Sequence, residues 1–163
     1  MTDLKVPRPS VAFPQQVNEV ALSPMVAVPS GELRVTQLET PIGSPIIAGR
    51  IKDVWMSIGA SGNTADSYPL QVSGEVFING VSALSTKMSI NHISGEASQQ
   101  KTTKVTGDTG ITQAVIDQDA NSVVPGDVIT YTLTVDRTAT PTIEMSNLVV
   151  VVELEPLGLH RRS

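Results

Sequence analysis

Cysteine is absent from the 163 residues, which excludes disulfides, thiolate metal sites and cysteine nucleophiles while leaving the redox compartment open. Aromatic residues make up only 3%. A core must therefore be built from Val, Ile and Leu, whose β-branched members favour strands. Charge is also scarce, at 17% against 40% hydrophobic, so the chain is too apolar for a disordered protein and Ser, Thr, Asn and Gln must cover much of its surface. There is no basic face: the net charge is -5, and the one basic cluster, His160-Arg161-Arg162, reads as a solvated tail. No nucleic-acid partner is expected. Apolar runs such as Leu148 to Val152 fall far short of the roughly 20 residues that cross a bilayer. The opening Met1-Thr2-Asp3-Leu4-Lys5-Val6-Pro7 lacks the apolar centre of a secretory signal, so neither membrane insertion nor a signal peptide is expected. A sustained helical period and an internal repeat are missing too.

What is present divides the chain in two. Seven prolines fall in the first stretch, at Pro7, Pro9, Pro14, Pro24, Pro29, Pro41 and Pro45, and each blocks a helix interior and a central sheet position. Between them lie the apolar pieces Val17-Asn18-Glu19-Val20-Ala21-Leu22 and Met25-Val26-Ala27-Val28, which a free tail has little reason to carry. Two readings fit these pieces: an arm laid on a neighbouring subunit, or edge strands of the chain's own domain. The arm is the reading adopted, with residues 1–48 as an extended arm and 49–163 as one β domain. Its candidate interface residues are Val17, Val20, Leu22, Met25, Val26 and Val28.

From Gly49 onward short strands alternate with turn residues. Arg50 to Ile58 carries Ile51, Val54, Trp55, Met56 and Ile58 in imperfect alternation, which suggests a bulge; Trp55 is read as core. Leu70, Val72, Gly74, Val76 and Ile78 share one face of the next strand, and Asn79-Gly80 predicts a hairpin with Val81 to Ile90 returning. Ile111 to Ile116 is a short strand or a single helical turn. Ser122 to Asp127, with Pro125 and Gly126, reads as a turn leading into Val128 to Val135, where Ile129, Tyr131, Leu133 and Val135 alternate with threonines. Leu148 to Leu154 is apolar on both faces, so it is either a covered central strand or part of a subunit interface, which makes Val149 and Val151 further interface candidates. The sum is an all-β chain, an antiparallel β-sandwich or jelly roll with a proline-rich N-terminal arm.

Catalytic chemistry finds few materials. The two histidines, His92 and His160, have no Ser or second His at catalytic spacing. Asp117-Gln118-Asp119-Ala120-Asn121 opens like a calcium loop, but Ser122 stands where the sharp turn needs Gly and Val128 where a bidentate Glu is needed. Gly59-Ala60-Ser61-Gly62-Asn63 lacks the Lys of a phosphate loop. No catalytic residue, metal or cofactor is expected.

Three blocks carry a family likeness: Asp53-Val54-Trp55-Met56-Ser57-Ile58-Gly59, Thr109 to Ile116, and Val124-Pro125-Gly126-Asp127-Val128-Ile129-Thr130-Tyr131 through Thr142 with the run to Glu155-Pro156. Together they resemble the jelly-roll decoration, or cement, proteins of bacteriophage capsids, over about two thirds of the chain. The resemblance implies a non-enzymatic virion protein on the outer surface of the capsid, bound to the major capsid protein, often as a homotrimer and tied down by an extended terminal arm. A phage fibre or bacterial adhesin-type β-sandwich domain that binds a receptor or carbohydrate is the competing expectation.

Overall fold

The computed structural model describes residues 24–29, 31–65, 69–137 and 140–157, and within them every regular element is a strand. In chain order these are β1 (Met25–Ala27), β2 (Gln37–Gly43), β3 (Gly49–Ala60), β4 (Gln71–Ile78), β5 (Val81–Ser82), β6 (Leu84–Thr86) and β7 (Met88–Asn91). They continue with β8 (Lys101–Thr102), β9 (Ile111–Thr112), β10 (Val115–Ile116), β11 (Ser122–Val123), β12 (Ile129–Asp136) and β13 (Ser146–Pro156). One sheet runs β1-β13-β3-β11, with β8 also on β3; the other runs β2-β12-β4-β7-β9, with β5 on β4; β6 and β10 form a small ribbon. All pairings are antiparallel. The protein is an antiparallel β-sandwich.

Period-two alternation fills the space between the sheets. Val54, Met56 and Ile58 of β3 with Leu148, Val150, Val152 and Leu154 of β13 form one buried layer. Val72, Val76 and Ile78 of β4 with Ile129, Tyr131 and Leu133 of β12 form the other, completed by Met88 and Ile90 of β7. Each fully buried aliphatic side chain is worth about 1.5–3 kcal/mol. The layers meet at Gly74, where a Cβ would stand 2.7 Å from both the Met56 sulfur and the Met88 methyl. Met56 from the opposite sheet and Met88 from the neighbouring strand β7 occupy the room that a side chain would take.

The predicted bulge in β3 lies at Lys52–Asp53, where the register with β13 slips between Glu153 and Leu154. The extra residue explains why the buried face of β3 changes phase between Ile51 and Val54. Asn79 and Gly80 take φ of 49° and 81°, the left-handed pair that a two-residue hairpin turn requires. The return from that turn is interrupted: β5 and β7 pair with β4, while β6 leaves to meet β10. The Ile111 to Ile116 segment is likewise two strands, each on a different partner.

Three expectations are corrected. Ser122 and Val123 belong to no turn, because they pair with Arg50 and Gly49 as β11; the turn occupies 124–127. Trp55 is not core: it lies half-buried on the outer face of β3 with the Lys104 ammonium 4.1 Å from its ring centroid. The arm boundary at residue 48 also moves, since β1 pairs with β13, β2 pairs with β12, and Leu33 between them is fully buried. Segments rich in proline still supply edge strands, where a missing N–H faces away from the ladder.

Candidate attachment surface

β1 edges the first sheet and β2 edges the second, so together they form one flank of the sandwich. Alternation decides what β1 offers there. Met25 and Ala27 pack on the core, and Val26 between them turns out, 51% exposed. Met25 is thus a residue of the domain's own packing. Its sulfur lies 3.2 Å from where a Cβ on Gly43 would be, so a glycine in β2 lets the side chain close the gap between the sheets.

Val26 stands opposite Val151, whose partner on its other side is Trp55. The fold thereby joins two stretches that were singled out separately in the sequence. Val151 is only 8% exposed and forms a floor under its neighbours; Val149, one alternation step away, is half-buried. Neither stands proud as Val26 and Val28 do. Val17, Val20 and Leu22 lie outside the described residues.

The flank also holds residues that the sequence reading passed over. Among the described residues the four most exposed large hydrophobics are Ile46 at 79%, Leu38 at 75%, Val28 at 72% and Val35 at 69%. Single exposed apolar residues are ordinary, but this concentration within residues 28–46 is not. For Leu38 the local cause lies in β2, where Glu39 has φ of 33° and the register with β12 slips. The irregularity turns Leu38 and Glu39 to solvent together before Ile42 regains the core. Pro41 lacks an N–H, and a bulged, proline-bearing edge resists the addition of another strand. The flank therefore presents side chains and not a free backbone ladder. Proline spacing hid the pattern, because apolar residues between prolines have no period to follow.

Charges on the flank cancel locally. Arg34 pairs with Glu32 at 2.6 Å and lies 3.7 Å from Glu144, which also accepts from Arg137. The hydrogen bond that Arg34 donates to Glu32 raises the Arg34 pKa, assisted by the charges of Glu32 and Glu144. An apolar, self-neutralised strip suits docking onto another protein more than capture of an ion.

In the Asp117 loop the Asp117 carboxylate accepts the Asp119 N–H at 3.0 Å, closing an ordinary side-chain turn. Among the described residues no group of three His, Asp or Glu side chains is placed to hold a metal, and no helix is long and apolar enough to cross a membrane. No protein-family model and no curated protein sequence matches the chain.

Proposed function

We propose that the protein is a non-enzymatic virion component on the outer surface of a phage capsid, held to the major capsid protein through the β1–β2 flank and the segment leading into it. The observation that carries this reading is the concentration of exposed Val28, Val35, Leu38 and Ile46 where the N-terminal segment joins the sandwich. Burying such side chains supplies a modest favourable term per copy, much of which is lost to the entropy of association. Repetition makes up the difference. A homotrimer presenting three flanks to a repeating shell converts weak single contacts into avid attachment.

Cryo-electron microscopy of the particle that carries the protein is the direct test, with sandwich density expected outside the shell. Density confined to a tail or fibre would overturn the assignment. A paired substitution, Val28→Asp with Leu38→Asp, is expected to abolish co-sedimentation with shells while changing stability by no more than about 0.5 kcal/mol, as exposed positions usually do. Undiminished sedimentation of that variant would move the attachment surface elsewhere.

A further inference from the structure

On the outer face of the first sheet, β13, β3 and β8 border a depression of about 480 Å³. We propose that this depression is a binding site for a neutral saccharide.

The site is built by register. Ser57 of β3 stands between Val149 of β13 and Thr102 of β8, so the three side chains form one row across the sheet. Ser57 Oγ donates to Thr102 Oγ1 at 2.9 Å. Next to this row Gly59 leaves the floor open, and Asn147 leans over it: a Cβ on Gly59 would stand 3.0 Å from the Asn147 Cβ. Asn147 itself has φ of 58°, in the left-handed region that asparagine adopts more readily than other non-glycine residues. On the far wall the Asp108 carboxylate accepts the Thr102 backbone N–H at 2.7 Å, which anchors it beside the row.

The lining chemistry selects the ligand class. The Thr102 hydroxyl is committed, accepting from Ser57 Oγ and the Lys104 N–H and donating to Met56 O, which leaves the Gln100 and Asn147 amides, the Ser57 oxygen and the Asp108 carboxylate in the lining as donors and acceptors. A ligand rich in hydroxyls, each able both to donate and to accept, matches such a set, and Val149 supplies an apolar patch for its C–H face. Anions are disfavoured. The one cation in the lining, Lys101, has its ammonium committed to Asn91 O, Thr109 O and Glu96, and its side chain is only 1% exposed. The remaining charge is the Asp108 carboxylate. The volume lies within the roughly 300–1,000 Å³ of small-molecule sites. A peptide strand would need a free sheet edge for its backbone, whereas the depression lies on a face.

Trp55 is two residues from Ser57 on the same face of β3, hence about 7 Å away along the strand, and it is the chain's only tryptophan. Its fluorescence, shaped by the adjacent Lys104, serves as a local reporter. The full chain is titrated with lactose, maltotriose, N,N′-diacetylchitobiose and mannotriose, and with sialyllactose as the anionic counterpart. At least one neutral probe is expected to give a saturable change at millimolar concentration, little affected by salt, with amide shifts at Ser57, Thr102 and Asn147 in nuclear magnetic resonance spectra. Asn147→Gly keeps the left-handed backbone while removing the amide, and Asp108→Asn keeps an acceptor for Thr102. Each is expected to weaken binding about tenfold, while Val81→Thr, at the remote hairpin, is expected to leave it unchanged. Silence from every neutral probe, tighter binding of sialyllactose, or binding that survives both site variants with melting temperature intact would overturn the proposal.

Discussion

The two margins of the first sheet end in opposite ways. At the β1 margin the sheet stops with a three-residue strand whose neighbours are apolar and open, and with Met25 packed across to the second sheet. At the other margin, β3 is shared between β11 and β8, and polar side chains sew the join. The buried Asn121 side-chain amide donates to Ile51 O while the Asn121 backbone carbonyl accepts the Ile51 N–H. Thr103 Oγ1 accepts the Met56 N–H, and the Thr103 N–H donates back to Met56 O. Lys101 ties the 91–96 and 103–110 loops together through two backbone carbonyls and Glu96. One margin leaves apolar side chains exposed. The other satisfies its own backbone, because a buried N–H or C=O left unpaired costs about 1–3 kcal/mol.

Truncation breaks the comparison most severely. A chain begun after Pro45 loses β1, β2 and Leu33, uncovering the edges of β13 and β12 together with part of the core. It is expected not to fold, shown by the loss of a cooperative thermal transition. A chain begun at Ser23 keeps both strands and is expected to melt close to the full protein. Equal melting of the two truncated forms would mean that β1 and β2 contribute nothing to the sandwich.

Lys101→Met probes the polar margin alone. The substitution preserves the aliphatic stem and leaves Asn91 O and Thr109 O without their charged donor, so about 3 kcal/mol of destabilisation is expected in urea unfolding. A neutral outcome would show that the two loops are held by packing.

Acid sharpens the contrast with a smaller effect. The Glu96 pKa is lowered from 4.5, first by the Thr109 hydroxyl and then by Lys101. A carboxylate depressed in the folded state adds stability that is present above its unfolded pKa and is lost as pH falls through the lower folded value. Unfolding midpoints should therefore fall between pH 5 and pH 3, about the range of carboxylate titration, and less steeply in Glu96→Gln. An identical acid slope in the variant would remove Glu96 from the account.

Strand alternation, the Asn79-Gly80 hairpin, the bulge in β3 and the paired apolar faces of β4 and β12 were legible from residue order, since each depends on neighbours within a few positions. The sheet-rich class followed from the shortage of aromatics and charge. The proline-rich segment was legible only as non-helical. Whether Met25 to Ala27 would cover a neighbour or the chain's own β13 depended on an edge far away in sequence, and local pattern carries no record of it. Trp55 depends on where the bulge falls, because the phase change there sets its side of the sheet, and the burial of Lys101 depends on the folded path of its own flanking segments, which bring Asn91 O, Glu96 and Thr109 O to its ammonium. Period and turn chemistry act locally and can be read along the chain. Which face is covered, and by what, is settled by long-range pairing, where the free energy of burial is gained.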